Sequence, residues 1–196
     1  MTVNWATELA DQTDFQWKAA FRPRLDTLTD EQYLWEPVPD CWSIRPRGDR
    51  ADAPGTGDFT IDWTFPAPDP APVTTIAWRL AHIIIGVFGM RTASHFGGPP
   101  VDHATYPSAA TATEAVKQLD DAYALWIEGV RGLDADGLAR PCGESEHKYA
   151  TYPLAALVLH INREFLHHGA EILLLTDLHR HHLTSTTSTT RPHLAR

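Results

Sequence analysis

His160-Ile161-Asn162-Arg163-Glu164-Phe165-Leu166-His167-His168-Gly169-Ala170-Glu171-Ile172 is the stretch that decides the fold. It lies inside an apolar-periodic run from Pro153 to Leu178, with Leu154, Leu157, Val158, Ile161, Phe165, Ile172 and Leu175 at helical spacing and a proline at the first helical position. The pattern predicts a buried amphipathic helix. Residues four apart on a helix stand one above the other, so His160, Glu164 and His168 form one column. A carboxylate and an imidazole in such a column can reach one ion, with bonds of roughly 2.0–2.2 Å for zinc, and a third ligand must come from elsewhere in the chain. Spacing alone leaves two readings open, a metal site and a structural salt-bridge column. A buried Glu164 would demand a cation or a strong hydrogen-bond donor, because an unpaired buried carboxylate costs several kcal/mol.

Three further segments carry a helical period. The first helix is predicted from Ala6 to Thr27, on the apolar spacing of Trp5, Leu9, Phe15, Ala19, Phe21, Leu25 and Leu28, with Pro23 expected to kink it or end it early. A short capped turn follows at Thr29–Trp35, with Thr29 as N-cap and Gln32 three residues on. The second helix spans Thr74 to Phe96, carries His82 at its middle and stops at Gly97-Gly98-Pro99-Pro100. The third runs from Glu114 to Val130, with Ala115, Leu119, Ala122, Tyr123 and Trp126 on its inner face. Between the first two helices, Glu36 to Val73 is rich in proline and glycine, and Phe59–Phe65 alternates weakly as a short extended or hairpin-like piece. A loop of that length in a compact domain is usually functional. Leu133 to Thr151 is a second loop. After Leu178 the chain reads His179-Arg180-His181-His182-Leu183 and then a Ser/Thr run without apolar period, which predicts a disordered tail.

These elements predict an all-α protein, an antiparallel four-helix bundle over residues 1–178 with a long loop between helices 1 and 2, and a tail over 179–196. The connections from helix 2 to 3 and from 3 to 4 are short enough to join up-down neighbours. A chain of 196 residues suits one domain, and 43% hydrophobic content is enough to fold it. The formal net charge of -9 argues against nucleic acid as a partner, because phosphate neutralisation needs an excess of Lys and Arg. No membrane span and no secretory leader is visible, so the expected location is cytoplasmic. Cys41 and Cys142 are isolated and form neither a disulfide framework nor a metal motif.

His82 stands at the middle of the strongly apolar second helix, which makes it the leading candidate for the third ligand. It reads equally as a core histidine bonded to a carbonyl or to Glu164. Other metal patterns fail on spacing. Glu164-x-x-His167 lacks the second copy and the extra carboxylates of a di-iron bundle. The His-Glu-x-x-His pattern is absent. His167 lies about 100° round the helix from His168.

Trp78-Arg79-Leu80-Ala81-His82-Ile83 resembles the helix-two motif of the DinB/YfiT-like superfamily, and Asn162 to Ile172 resembles its helix-four motif. Leu28–Pro37 and Trp42–Pro46 are also similar to members. The resemblance covers most of residues 5–178. It implies a four-helix bundle with a divalent metal held by three side chains, three histidines in many members. Position 164 is glutamate here, which is closer to the mycothiol-dependent maleylpyruvate isomerases and their relatives. Their His, Glu, His set carries over as His82, Glu164 and His168, with zinc expected and nickel or another divalent ion as alternatives. His160 takes the place of a second-layer partner or reserve ligand.

The function expected from this set is a metal-dependent transferase or isomerase using mycothiol or another low-molecular-weight thiol on a small-molecule substrate. His160 and Arg163 are the candidate catalytic side chains, and Arg163, Arg79 and Arg45 are candidates for holding an anionic substrate, with Arg163 also readable as a structural ion pair. Two alternatives stay open. One is a metal-dependent hydrolase with Glu171 or His160 as proton shuttle. The other is a non-catalytic, stress-related helical bundle, a homodimer whose 36–73 loop is an interaction surface.

Overall fold

The computed structural model describes residues 3–48, 52–64 and 66–188, with side chains through His182. Four helical rods build it. The first comprises α1 (Trp5–Gln16), a π-helical stretch (Trp17–Phe21) and α2 (Arg22–Leu25). Pro23 explains the wide turn before it: proline offers no N–H and its ring presses on the carbonyl four residues back, which here lies inside the π-helical stretch. The rod does not end at Pro23 but carries on to Leu25. Its inner face also departs from the expected one. Trp5 and Phe15 are 64% and 73% exposed, while Ala10, Trp17, Phe21 and Leu25 point inward.

The capped turn is α3 (Asp30–Tyr33), closed by a reciprocal capping box between Thr29 and Gln32 as expected. The second rod joins α4 (Ile76–His82), a π-helical stretch (Ile83–Gly89) and α5 (Met90–His95). The third is α6 (Ala112–Arg131), N-capped by Thr111. The loop beyond it holds a short α7 (Ala135–Ala139) and a 3-10 segment (Glu144–Tyr149). The fourth rod, α8, spans Leu154–Ser188. It therefore continues ten residues into the segment read as tail, because His179 is buried and packs edge-on against Trp35 at 5.3 Å. The remaining expectation, for residues 189–196, lies outside the described residues.

The side-chain pairs fix the directions of the rods. Asp14 on the first rod accepts from Tyr123 and Arg131, while Arg22 further along reaches Asp120, so the first rod and α6 are antiparallel. Thr13 meets Asn162 and Arg24 meets Asp177, so the first rod and α8 run in step. Arg79 meets Glu171 and His82 meets His168, so the second rod opposes α8. Phe88 packs on Tyr123 and Trp126, and Phe96 on Trp126, so the second rod and α6 run the same way. The bundle is thus two antiparallel pairs in the order up, down, down, up. Residues 97–111 cross back along the bundle rather than joining up-down neighbours. At up to roughly 3.3 Å per extended residue they are long enough to do so.

The core is aromatic at its centre. Phe165 lies 5.2 Å from Phe21, 5.9 Å from Trp17 and 5.6 Å from Phe88, and Trp17 stacks on Tyr123 at 3.8 Å. The long loop docks on this body through a two-stranded antiparallel pair, β1 (Ile44–Pro46) and β2 (Phe59–Ile61), with Ile44 opposite Ile61. Phe65, the last residue of the expected extended piece, lies outside the described residues. Among the described residues no helix is long and apolar enough to cross a membrane, and both cysteines are free and buried.

Candidate metal centre

The second rod starts at a rigid point. Thr75 caps α4 by accepting from the Trp78 amide, and its hydroxyl meets Ser43 at 2.9 Å. Trp42 clamps the loop there, donating its amide to Val73 O and accepting from Thr75 N. One turn on, Trp78 Nε1 donates to Asp62 O at 2.8 Å, and its ring lies flat over His82 at 5.5 Å. His82 ends α4, and the wider turns of Ile83–Gly89 begin directly after it. Such turns recur at functional sites.

Across the bundle, α8 presents Glu164 and His168 on one face. The His168 ring stands edge-on to His82 at 4.7 Å and 89°. One ligating atom each from His82, Glu164 and His168 lies within 4.8 Å of the others. All three side chains are half-buried. Bonds near 2.1 Å to a common ion place its ligands no more than about 4.2 Å apart, which is the scale of this cluster. His168 Nε2 is already 3.5 Å from Glu164 Oε2. The donor chemistry suits the task. Burial first, then the neighbouring His168, His103 and Arg79, hold the His82 pKa down to about 3, so its imidazole is neutral and keeps a lone pair. Its Nδ1 is buried without a hydrogen-bond partner, an arrangement costly for a histidine with no further role. Two imidazoles and a carboxylate are a sound donor set for a divalent ion.

A model of the DinB superfamily matches residues 12–172. The chain belongs to the DinB superfamily. No curated protein and no solved structure matches it. DinB membership fits a metal-binding helical protein, and the His/Glu cluster between the second rod and α8 is in keeping with it.

Within this DinB bundle, His168 has a fixed orientation. Its Nδ1 lies 2.8 Å from Glu171 Oε2 and 3.0 Å from Arg79 Nη1, and Arg79 Nη1 donates to Glu171 Oε2 at 2.6 Å. The ring is thus held on its Nδ1 side by an ion pair, and Nε2 is turned to Glu164. Glu171, read from sequence as a proton shuttle, instead aligns this ring. Arg79 pairs with Glu171 while its Nε is buried without a partner, and Arg45 pairs with Glu36 and Asp62. His160 sits one turn before Glu164, its Nδ1 3.5 Å from Glu164 Oε1 and accepting from Arg163 Nη2 at 2.7 Å. His167, with 62% of its side chain exposed, meets Glu171 at 3.2 Å and stacks on His168 at 4.8 Å, so His167, His168 and Glu171 form a second, more exposed group of possible ligands.

His103 carried no signal in the sequence. It comes from the crossing segment 97–111, fixed by the turn in which Asp102 accepts from the Thr105 amide. Its ring stacks on Trp63 at 5.2 Å, and its Nε2 is buried without a partner. Gly86 borders both rings: a Cβ there would lie in ordinary contact, 3.4 Å from His82 Nδ1 and 3.7 Å from His103 Cε1. Trp63, Trp78 and His103 thus wall off the far side of His82.

Proposed function

We propose that the protein is a metal-dependent enzyme of the thiol-transferase or isomerase type, with a divalent ion held by His82, Glu164 and His168. The convergence of three ligating atoms from two rods supports this reading most directly. A bound divalent ion would supply a Lewis acid that lowers the pKa of a low-molecular-weight thiol such as mycothiol. The chain's own residues do the rest. Arg79 and Glu171 hold the His168 ring from its Nδ1 side, with Nε2 turned to Glu164. Trp63 and Trp78, stacked within 9° of parallel, exclude water from the His82 side. On the other side His160, with 42% of its side chain exposed, can exchange a proton with solvent beside Glu164.

The test compares metal-loaded and chelator-treated protein in S-transfer and isomerisation assays with mycothiol, with other small thiols and without thiol. Turnover that needs both metal and thiol is expected. Turnover of esters, amides or phosphoesters without thiol would replace this reading with a hydrolase, and no turnover under any condition would leave a non-catalytic bundle. The orienting pair makes a separate expectation. Glu171→Gln keeps the shape but removes the charge that anchors Arg79 and His168, and metal affinity should fall about 10–100-fold, the range for groups that orient a metal-bound histidine. Competition against a chromophoric chelator measures it. Unchanged affinity would show that Glu171 plays no such part.

A further inference from the structure

A cleft of about 300 Å³ opens one turn along α8 from Glu164, between α5, the 142–152 loop and α8. Its walls include Arg91, Glu146, Tyr149, Tyr152, His160 and Arg163. The cleft is a built feature. Glu146 is buried and accepts from Arg91 Nη1 at 3.1 Å and His95 Nε2 at 2.9 Å, which ties the loop to α5. The ends of the loop are pinned by Cys142 N donating to Tyr152 O at 2.8 Å and Gly143 N to Ala150 O at 2.9 Å. Between the pins, His147 adopts φ 49° and ψ -117°, a conformation that costs an L residue about 1–3 kcal/mol and recurs where loops serve a site. The loop so held places Tyr149 and Tyr152 edge to face at 5.6 Å, both about half exposed.

The guanidinium donors of the cleft are not all used. Arg91 and Arg163 line it together with one carboxylate, Glu146, and the second carboxylate nearby, Glu164, makes only a long ion pair with Arg163. Glu146 is satisfied by Arg91 and His95, whereas Arg163 Nε is 3.8 Å from Glu164, too far for a hydrogen bond. Arg91 Nε is buried without a partner. Arg163 Nη2 donates to His160 Nδ1, so His160 carries its proton on Nε2 and is a further donor. Donors outnumber acceptors here, and two tyrosine rings and Leu157 supply apolar surface beside them.

We propose that this cleft binds a small organic monoanion, a carboxylate carried on an aromatic or short aliphatic body, and presents it to the neighbouring His/Glu cluster through His160. This names the substrate class of the function proposed above and rests on that reading for the reaction, but not for the binding. Isothermal titration of benzoate against benzamide, which has the same body without the charge, tests it on the full chain. Benzoate is expected to bind about tenfold more tightly, the scale of a charge-assisted hydrogen bond. Arg163→Gln, at a side chain 72% exposed and so neutral to folding, should bring the two ligands to parity, and Arg163→Lys should restore part of the preference. Equal binding of the two ligands, or a preference that survives Arg163→Gln, overturns the proposal. His82→Ala separates the two readings. It removes a proposed metal ligand and should leave the benzoate preference intact, so loss of metal and loss of anion binding fail independently.

Discussion

Purified without a tag, the protein is expected to carry about one equivalent of divalent metal, and His168→Ala less than a tenth. Residues that merely orient a ligand are worth about 10–100-fold in affinity, and a group that touches the ion directly is worth more. His168 is the strongest choice because its supporting contacts are the most complete. Glu171 and Arg79 both hold its Nδ1 side, and its ring meets His82 edge-on. His82→Ala should give the same loss from the opposite rod. His167→Ala separates this set from the more exposed group of His167, His168 and Glu171: metal content should not change if His82 and Glu164 complete the site, and a loss would move the ion to the exposed group. Elemental analysis of the four proteins at matched concentration decides the matter. Less than a tenth of an equivalent in the parent, unaltered by His82→Ala, would remove the metal from the account, and the column His160, Glu164, His168 would stand as an ion-pair ladder.

Phe165→Ala is expected to lower the unfolding free energy by about 3–5 kcal/mol, the usual cost of deleting a fully buried aromatic ring. Phe165 is completely buried and touches two rods besides its own, the first through Phe21 and Trp17 and the second through Phe88. Three rods share the resulting void, and each would have to move to fill it. Since native domains are stable by only about 5–15 kcal/mol, this one change removes a large share. Urea unfolding followed by tryptophan fluorescence measures it, with Phe165→Leu as the milder companion. A loss under about 1 kcal/mol for Phe165→Ala would mean that the aromatic centre is not the packing centre of the bundle.

The fourth helix was readable because its period is unbroken: the apolar positions from Leu154 to Ile172 named in the sequence are buried. The same regularity made the Glu164–His168 pair visible, since i and i+4 are neighbours on any helix. His82 could be named only by elimination and by resemblance, because no local rule says which rod faces which. The first rod was misread for a physical reason. A single period carried through Trp17–Phe21 ignores the wide turn there, and it sends Trp5 and Phe15 to the wrong face. The direction of the crossing segment and the arrival of His103 beside His82 depend on tertiary packing, for which a run such as Asp102-His103-Ala104-Thr105 offers no pattern. Asp102 reads as an ordinary turn residue, and it is one.

The wide turns at Ile83–Gly89 have one more implication. A π-helical bulge inserts a residue without adding a turn, so everything after it is rotated by about 100° relative to an uninterrupted α-helix. His82 lies before the insertion and Arg91 after it. The bulge acts as a phase shifter, letting one continuous rod aim its upstream half at Trp78, Trp63 and α8 while its downstream half is angled toward Glu146 and the 142–152 loop. A shorter homologue without that extra residue would keep the histidine and lose the aim of the arginine, so two sites joined by one helix can drift apart in evolution through a single-codon deletion.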